Sequence, residues 1–421
     1  MSDEWLECIG CHARYRVDQI RNGCDCGNLL SLERPKEALS ALAPALFDAR
    51  LGLRDPLSRS GVWRFREGVL NLQEGQIVCH PEGGTHLYRR LALSQWAGID
   101  DLDFKHEGEN PTGSFKDRGM TVAVSQAVRL GTKAVACAST GNTSSSLAAY
   151  AAQAKRRAIV LVPSGKISMS KMSQALAYGA RCLKVDGDFD VAMSLVRQLC
   201  EHLGIYLVNS VNPFRIEGQK TIAWEILQDL DWHPPDWIVL PAGNLGNTSA
   251  LGKALREAFE AGWIAKLPRL AAVQAATANP FFQSYRAGFA TRPKVKAETI
   301  ATAIRIGNPV SFEKAKAEIL STRGVVTEVT DAEILLAKRE VDRAGLGCEP
   351  ASACSLAGAK KLRAEGIIKP QERVVCVLTG HLLKDPEAVL QAAPGLEDPR
   401  DQIVEVGSTL AEVEAALEGC L

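Results

Sequence analysis

Residues 133–164 read "KAVACASTGNTSSSLAAYAAQAKRRAIVLVPS". The two ends, "KAVACAST" (133–140) and "RAIVLVPS" (157–164), are apolar runs without polar alternation. A strand with both faces apolar belongs inside a parallel sheet covered by helices. The middle, "NTSSSLAAYAAQAK" (142–155), is helical by spacing, and a helix is the connection that parallel neighbours need. The texture continues outward. "RCLKVDG" (181–187) and "IYLVNS" (205–210) read as strands; "SMSKMSQALAYG" (168–179) and "DFDVAMSLVRQLCEHLG" (188–204) read as helices. "WIVLPAGN" (237–244), "RLAAVQAA" (269–276), "GVVTEVTD" (324–331) and "RVVCVLTG" (373–380) repeat the strand pattern further on. The fold class is therefore α/β with parallel sheets. Such sheets bind ligands at the C-terminal ends of their strands, where the polar, glycine-rich pieces of this chain fall.

The chain has 421 residues, long for one core and suited to two or three domains. Lys+Arg and Asp+Glu both number 49, which argues against nucleic acid or an anionic membrane as the main partner. No apolar run approaches the ~20 residues of a membrane span. "MSDEWLECIG" lacks the basic and apolar regions of a signal peptide, so a cytoplasmic protein is expected. Eight of the twelve cysteines are scattered, several inside apolar runs, and read as reduced thiols. Cys8, Cys11, Cys24 and Cys26 cluster as CxxC and CxC, which suits a small four-thiolate zinc ribbon; a redox pair or a ribbon without metal is the alternative. The expected organisation is a cysteine element at 1–32, a large domain from 33–120 and 222–395, a smaller mobile α/β domain at 121–221, and a helical tail at 396–421.

Five pieces carry chemistry. Lys116 follows the turn Asn110-Pro111-Thr112-Gly113 at what reads as a helix start. A lysine there, desolvated and near positive charge, has the lowered pKa of a Schiff-base lysine; the plain alternative is a solvated helix lysine. Ser139, Thr140, Gly141 and Asn142 join a strand to a helix whose first N–H groups bind anions, or they are an ordinary cap. Gly243-Asn244-Leu245-Gly246-Asn247 is a glycine-bearing loop before a helix, suited to a phosphate or else a plain loop. Asn209, Ser210 and Arg215 offer two hydrogen-bonding side chains and a guanidinium fork for a second anion. Thr379 ends a buried strand, where a neutral hydroxyl meets a pyridine nitrogen or caps the strand. Together they fit pyridoxal 5'-phosphate, with a second cradle for a substrate that carries its own phosphate.

"ENPTGSFKDRG", "CASTGNTSSSLAAYAA", "NSVNPFRIEGQKT", "PAGNLGN", "EPASACSLAG" and "VLTGH" occur in that order across roughly residues 80–390. This set resembles the threonine synthases, fold-type-II pyridoxal-phosphate enzymes. The resemblance implies a tryptophan-synthase-β-like fold: two doubly wound α/β domains with the cofactor in the cleft, plus the zinc-ribbon-like N-terminal element that some members carry. It implies that Lys116 forms the Schiff base and shuttles protons, Asn142 bonds the 3'-oxygen, and Gly243, Asn244, Leu245, Gly246 and Asn247 hold the cofactor phosphate. Thr379 would face the ring nitrogen. Ser139, Thr140, Asn209, Ser210 and Arg215 would bind the substrate's carboxylate and phosphate. The implied reaction turns O-phospho-L-homoserine and water into L-threonine and phosphate, in a homodimer. Two departures stand out: Leu382-Leu383 where many relatives have a glycine, and methionines in "SGKISMSKM" (164–172). The rival readings are cysteate synthase, which sulfite consumption with phosphoserine would reveal, threonine dehydratase, which leaves Arg215 without a role, and a non-catalytic sensor, which an intact Lys116 disfavours.

Overall fold

Three sheets organise the chain, of which the computed structural model describes residues 4–164, 169–390 and 404–417. Strands β1 (Trp5–Cys8), β2 (Arg14–Arg16) and β3 (Leu30–Glu33) form a small antiparallel sheet in the order β2-β1-β3. After it come β4 (Leu87–Arg89) and β5 (Asp101–His106). Strands β6 (Ala134–Ala138), β7 (Arg157–Pro163), β8 (Arg181–Val185) and β9 (Tyr206–Leu207) then make a four-stranded parallel sheet in the order β8-β7-β6-β9. The chain returns to the first two strands with β10 (Trp237–Pro241), β11 (Arg269–Ala275), β12 (Val325–Val329) and β13 (Arg373–Leu378). Their sheet runs β12-β11-β10-β13-β5-β4, parallel except for β4 at the edge.

The strands fall where the unalternating apolar runs were read. β6, β10 and β13 bury all or nearly all their residues, the condition for which such runs are selected. Of the "SGKISMSKM" departure, residues 165–168 and the side chains of 169–171 lie outside the described residues, while Met172 is buried. The expected boundary at 120 falls inside the helix Lys116–Arg129, which is continuous. The region at 33–90, a run of short helices between β3 and β4, belongs to the core. Its Phe47 and Phe65 lie 5.0 Å apart, Phe47 lies 5.2 Å from Trp263, and Trp224 lies 5.4 Å from Trp263. One apolar core runs from Leu6 and Leu30 through Trp63 to Val135 and Leu240, so it joins all three sheets. No described helix is long and apolar enough to cross a membrane.

Two buried ion networks join the elements around the site. Arg118 donates to both oxygens of Glu107 at 2.7 Å and to Glu225, with Lys105 also facing Glu225. Arg34, Lys220 and Lys253 converge on Glu217, with Glu257 beside them, which fastens the strand β3 end to the helices Pro213–Gln219 and Gly246–Glu260. A buried charge is tolerated only when paired in this way.

The helices Lys116–Arg129 and Pro213–Gln219 touch backbone to backbone through two glycines. A Cβ on Gly218 would overlap the Arg118 carbonyl oxygen, and one on Gly119 would stand 2.9 Å from the Arg215 carbonyl oxygen. Gly218→Ala should therefore push the helices apart at a cost of about 1–3 kcal/mol, the usual range for overpacking. Urea unfolding is the measurement; a variant within error of wild type would show that the contact yields without strain.

Candidate active site

Lys116 opens its helix, and the preceding turn sets where it points. Gly113 adopts φ +82° and donates to the Asn110 carbonyl at 2.7 Å. Asp117 grips this turn from inside the helix, accepting from the Thr112 N–H at 2.7 Å and the Thr112 hydroxyl at 2.6 Å. Burial pushes the Asp117 carboxyl up to about 6. The same loop is sewn to the chain after β13: Phe115 N–H donates to the Thr379 carbonyl at 3.0 Å, and His381 N–H to the Gly113 carbonyl at 2.9 Å. Lys116 and Thr379 are thus brought together by backbone bonds, far apart as they are in sequence.

Lys116 Nζ sits 3.6 Å from the centre of the Phe115 ring. Burial, then the charge of Arg215, lower its pKa from 10.5 to about 7, with Glu349 opposing. Arg215 is buried and donates to the Val208 carbonyl at 3.2 Å; its Nε has no partner among the described residues. Burial lowers its pKa to about 10. A buried guanidinium without a carboxylate partner is costly, and an anionic ligand would relieve that cost.

The loop after β10 closes on itself before the helix Gly246–Glu260. A Cβ on Gly243 would stand 2.8 Å from Ile304 Cα, and Leu245 is left-handed at φ +64°. The first helical N–H with an acceptor in that turn is Ser249, bonded to the Leu245 carbonyl at 3.0 Å. The N–H groups of Gly246, Asn247 and Thr248 precede it and belong to the unsatisfied first turn of a helix. Both polar atoms of the Asn247 side chain and the Thr248 hydroxyl are buried without a partner among the described residues. Asn244 spans outward, donating to the Ser210 hydroxyl at 2.7 Å and accepting from Val310 N–H at 2.7 Å. This loop is therefore joined to the Ser210–Arg215 segment.

On the facing side, β6 ends at the half-exposed Ser139–Asn142 turn. Asn209 accepts from Ala138 N–H at 2.9 Å and donates to the Ala138 carbonyl at 3.0 Å, so its amide holds the strand end in place. Ser139 Oγ accepts from Gly141 N–H at 3.2 Å. Asn142 Nδ2 donates to Glu349, at 3.0 Å to Oε2. Thr379 Oγ1 lies 3.0 Å from Ser352 Oγ, which accepts from Gly380 N–H at 2.9 Å. Glu349 and Ser352 escaped the sequence reading, although "EPAS" carried its signal: an acid and a hydroxyl flanking a proline at a helix start. Leu382 packs against Gly347 and Leu383 is exposed, lining a cavity of about 340 Å³ beside Asn142, Gln174 and Lys384.

These residues fit pyridoxal phosphate. A lysine near neutrality, unpartnered polar atoms at a helix start, and a hydroxyl rather than a carboxylate at the β13 end supply its three attachment needs.

The four cysteine sulfurs all lie within 4.8 Å of one another. Cys8 and Cys26 are 3.5 Å apart, as are Cys11 and Cys24. Tetrahedral thiolates on zinc at ~2.3 Å would be ~3.8 Å apart, close to this spacing. The N–H groups of Gly10 and Cys11 point at Cys8 Sγ at 3.4 Å, and the Asn28 amide at Cys26 Sγ at 3.4 Å.

Comparison with known proteins agrees with this geometry. Residues 78–380 match the family described as pyridoxal-phosphate dependent enzyme. A threonine synthase of Methanocaldococcus jannaschii is 47% identical over 92% of this chain and 94% of its own length. One of Methanosarcina acetivorans is 45% identical over 91% of this chain and 93% of its own. Among solved structures, the processed form of threonine deaminase isoform 2 from Solanum lycopersicum superposes with a TM-score of 0.64 at 22% identity, over 75% of this chain and 89% of that one.

The lowered Lys116 pKa has a stability consequence in cofactor-free protein. Between about 7 and 10.5 the unfolded chain binds more protons at this amine than the folded one, so its penalty on stability shrinks as pH rises. Lys116→Met should be more stable than wild type at pH 7 and the gap should close as pH rises through that window. Unfolding midpoints across the range check this; a gap that does not change with pH would mean an ordinary lysine.

Proposed function

The chain belongs to the pyridoxal-phosphate dependent enzyme family, among its threonine synthases, and we propose how its own residues carry out that reaction. The enzyme converts O-phospho-L-homoserine and water to L-threonine and phosphate. The observation that carries this reading within the family is Arg215: a buried guanidinium with no carboxylate partner among the described residues, close enough to Lys116 to lower its pKa. A substrate without a phosphate, as a dehydratase uses, would leave that charge uncompensated.

Pyridoxal phosphate, when bound, supplies an electron sink for negative charge developing on the substrate carbons. Gly243 to Asn247 would hold its phosphate, Asn142 its ring oxygen and Thr379 its ring nitrogen. Ser139 and Thr140 orient the substrate carboxylate; Asn209 fixes the turn that bears them. Lys116 is the base. With its pKa lowered to about 7, a large share of the amine is unprotonated at neutrality, so it takes the proton from Cα and, once it has given that proton up, takes one from Cβ. Phosphate leaves Cγ into the field of Arg215, assisted by Ser210. Water adds its hydroxyl at Cβ and its proton goes to the released phosphate, while the protons taken from Cα and Cβ are returned at Cγ, which becomes the methyl group, and at Cα. The neutral Thr379 hydroxyl would not impose full charge on the ring nitrogen of the bound cofactor, which suits this series of proton shifts.

The moving unit is the β6–β9 sheet with the helices Asn142–Gln153 and Phe189–Leu203, within 121–221; the helices Lys116–Arg129 and Pro213–Gln219 stay with 33–120 and 222–395 as one body, to which the cysteine element of 1–32 is attached. The cysteine element binds one structural zinc through Cys8, Cys11, Cys24 and Cys26. The functional form is a cytoplasmic homodimer that takes no nucleic acid or membrane as partner.

Incubation with O-phospho-L-homoserine should release phosphate and threonine in equal amounts, and Lys116→Ala should abolish both. Arg215→Ala should lower kcat/KM at least ~100-fold, as loss of a group stabilising departing charge does. Phosphate release without threonine would overturn the reading. Metal analysis should find one zinc per chain that Cys24→Ser removes; its absence from freshly purified protein would reject the zinc site.

A further inference from the structure

Glu349 occupies the N-cap position of the fifteen-residue helix Pro350–Ala364, yet its side chain makes no capping bond. An acid at that position ordinarily accepts from the first turn of its own helix. This one turns across the cleft to Asn142, which begins the helix Asn142–Gln153 on the other side. The arrangement is built. Glu349 is buried, and its N–H donates to the Gly380 carbonyl at 3.0 Å. Gly380 is a glycine where a Cβ would stand 2.7 Å from the Glu349 carboxyl carbon. Three residues on, Ser352 holds Thr379 at 3.0 Å.

An amide nitrogen has two hydrogens. One is committed to Glu349; the other remains for a ligand. We propose that Glu349 is a positioning residue that holds the Asn142 amide across the cleft, so that its second N–H is presented to the oxygen of the cofactor ring. The inference rests on the assignment of Asn142 to that oxygen. Glu349 and Ser352, one helical turn apart, then secure the side chains at both polar edges of the ring from a single helix start. Lys116, Lys384 and Asp385 also face the Glu349 carboxyl. A direct action through charge on Lys116 is therefore the competing account, and the test must separate the two.

The test is a double-mutant cycle read as the dissociation constant for pyridoxal phosphate, by titrating cofactor-free full-length protein and following the visible absorbance. Glu349→Ala should weaken binding by about tenfold or more, the size of a hydrogen bond with a charged partner. Glu349→Gln, which keeps an acceptor but no charge, should stay within about threefold of wild type, since the acceptor is what the amide needs. In an Asn142→Ala background, Glu349→Ala should cause no further loss. Additive losses, or a Glu349→Gln as weak as Glu349→Ala, would overturn the proposal and favour the charge account. Unchanged affinity in Asn142→Ala alone would overturn the assignment of Asn142 and the proposal with it. Should Glu349→Ala not fold, Gly380→Ala displaces the same carboxyl and should give the same loss in wild type and none in Asn142→Ala; a loss in both would overturn the proposal.

Discussion

Most of the site hangs on one steric constraint: the helix that begins at Lys116 and the helix that carries Arg215 meet with no side chain between them at Gly218. This contact brings a lysine and an arginine into one another's field, which no carboxylate among the described residues cancels at Arg215. It also buries Arg118, whose carbonyl is the surface that Gly218 touches. Arg118 then has to be neutralised in the core, and Glu107 and Glu225 do so from the end of β5 and from the helix Thr221–Asp229. The ion network is thus a consequence of the close approach, and it locks the turn, the lysine and the arginine into one body.

The electrostatics of the cleft follow. The chain as a whole is neutral, but its charges are sorted. Pairs are closed in the Arg118 and Glu217 networks, while Lys116 and Arg215 are left to face a ligand. Burial lowers the pKa of both, so the pocket holds strong demand for an anion together with an amine that is a competent base near neutrality.

The sheet strands and the Lys116, Asn142, Gly243 and Thr379 segments were legible because each couples a local pattern to a chemical reason: an apolar run, a helix start, a glycine loop. Glu349 and Ser352 were not, because an acid before a helix reads as a cap, and only the fold shows this one facing Asn142. Asn209 was legible as a polar site residue, but its attachment to Ala138 depends on β6 and β9 being neighbours. The region at 33–90 was opaque for another reason. Its short helices have no long period, and Phe47, Trp63 and Phe65 reveal their role only through partners such as Thr121, Trp224 and Trp263.

The place of β13 has a consequence for how the enzyme is made. It is the last strand among the described residues, yet it lies between β5 and β10 in the middle of the large sheet. The residues that follow it directly, Thr379 and His381, are those to which the Lys116 loop is bonded. On the ribosome, at about 5–20 residues per second, β5 and β10 wait for their common neighbour, β5 for roughly ten seconds to a minute. During that interval their edges are open, and the lysine loop has nothing to bond to. Cofactor capture is therefore a late event in the life of the nascent chain, and a truncation before residue 373 would yield a pair of sheet fragments with no site between them.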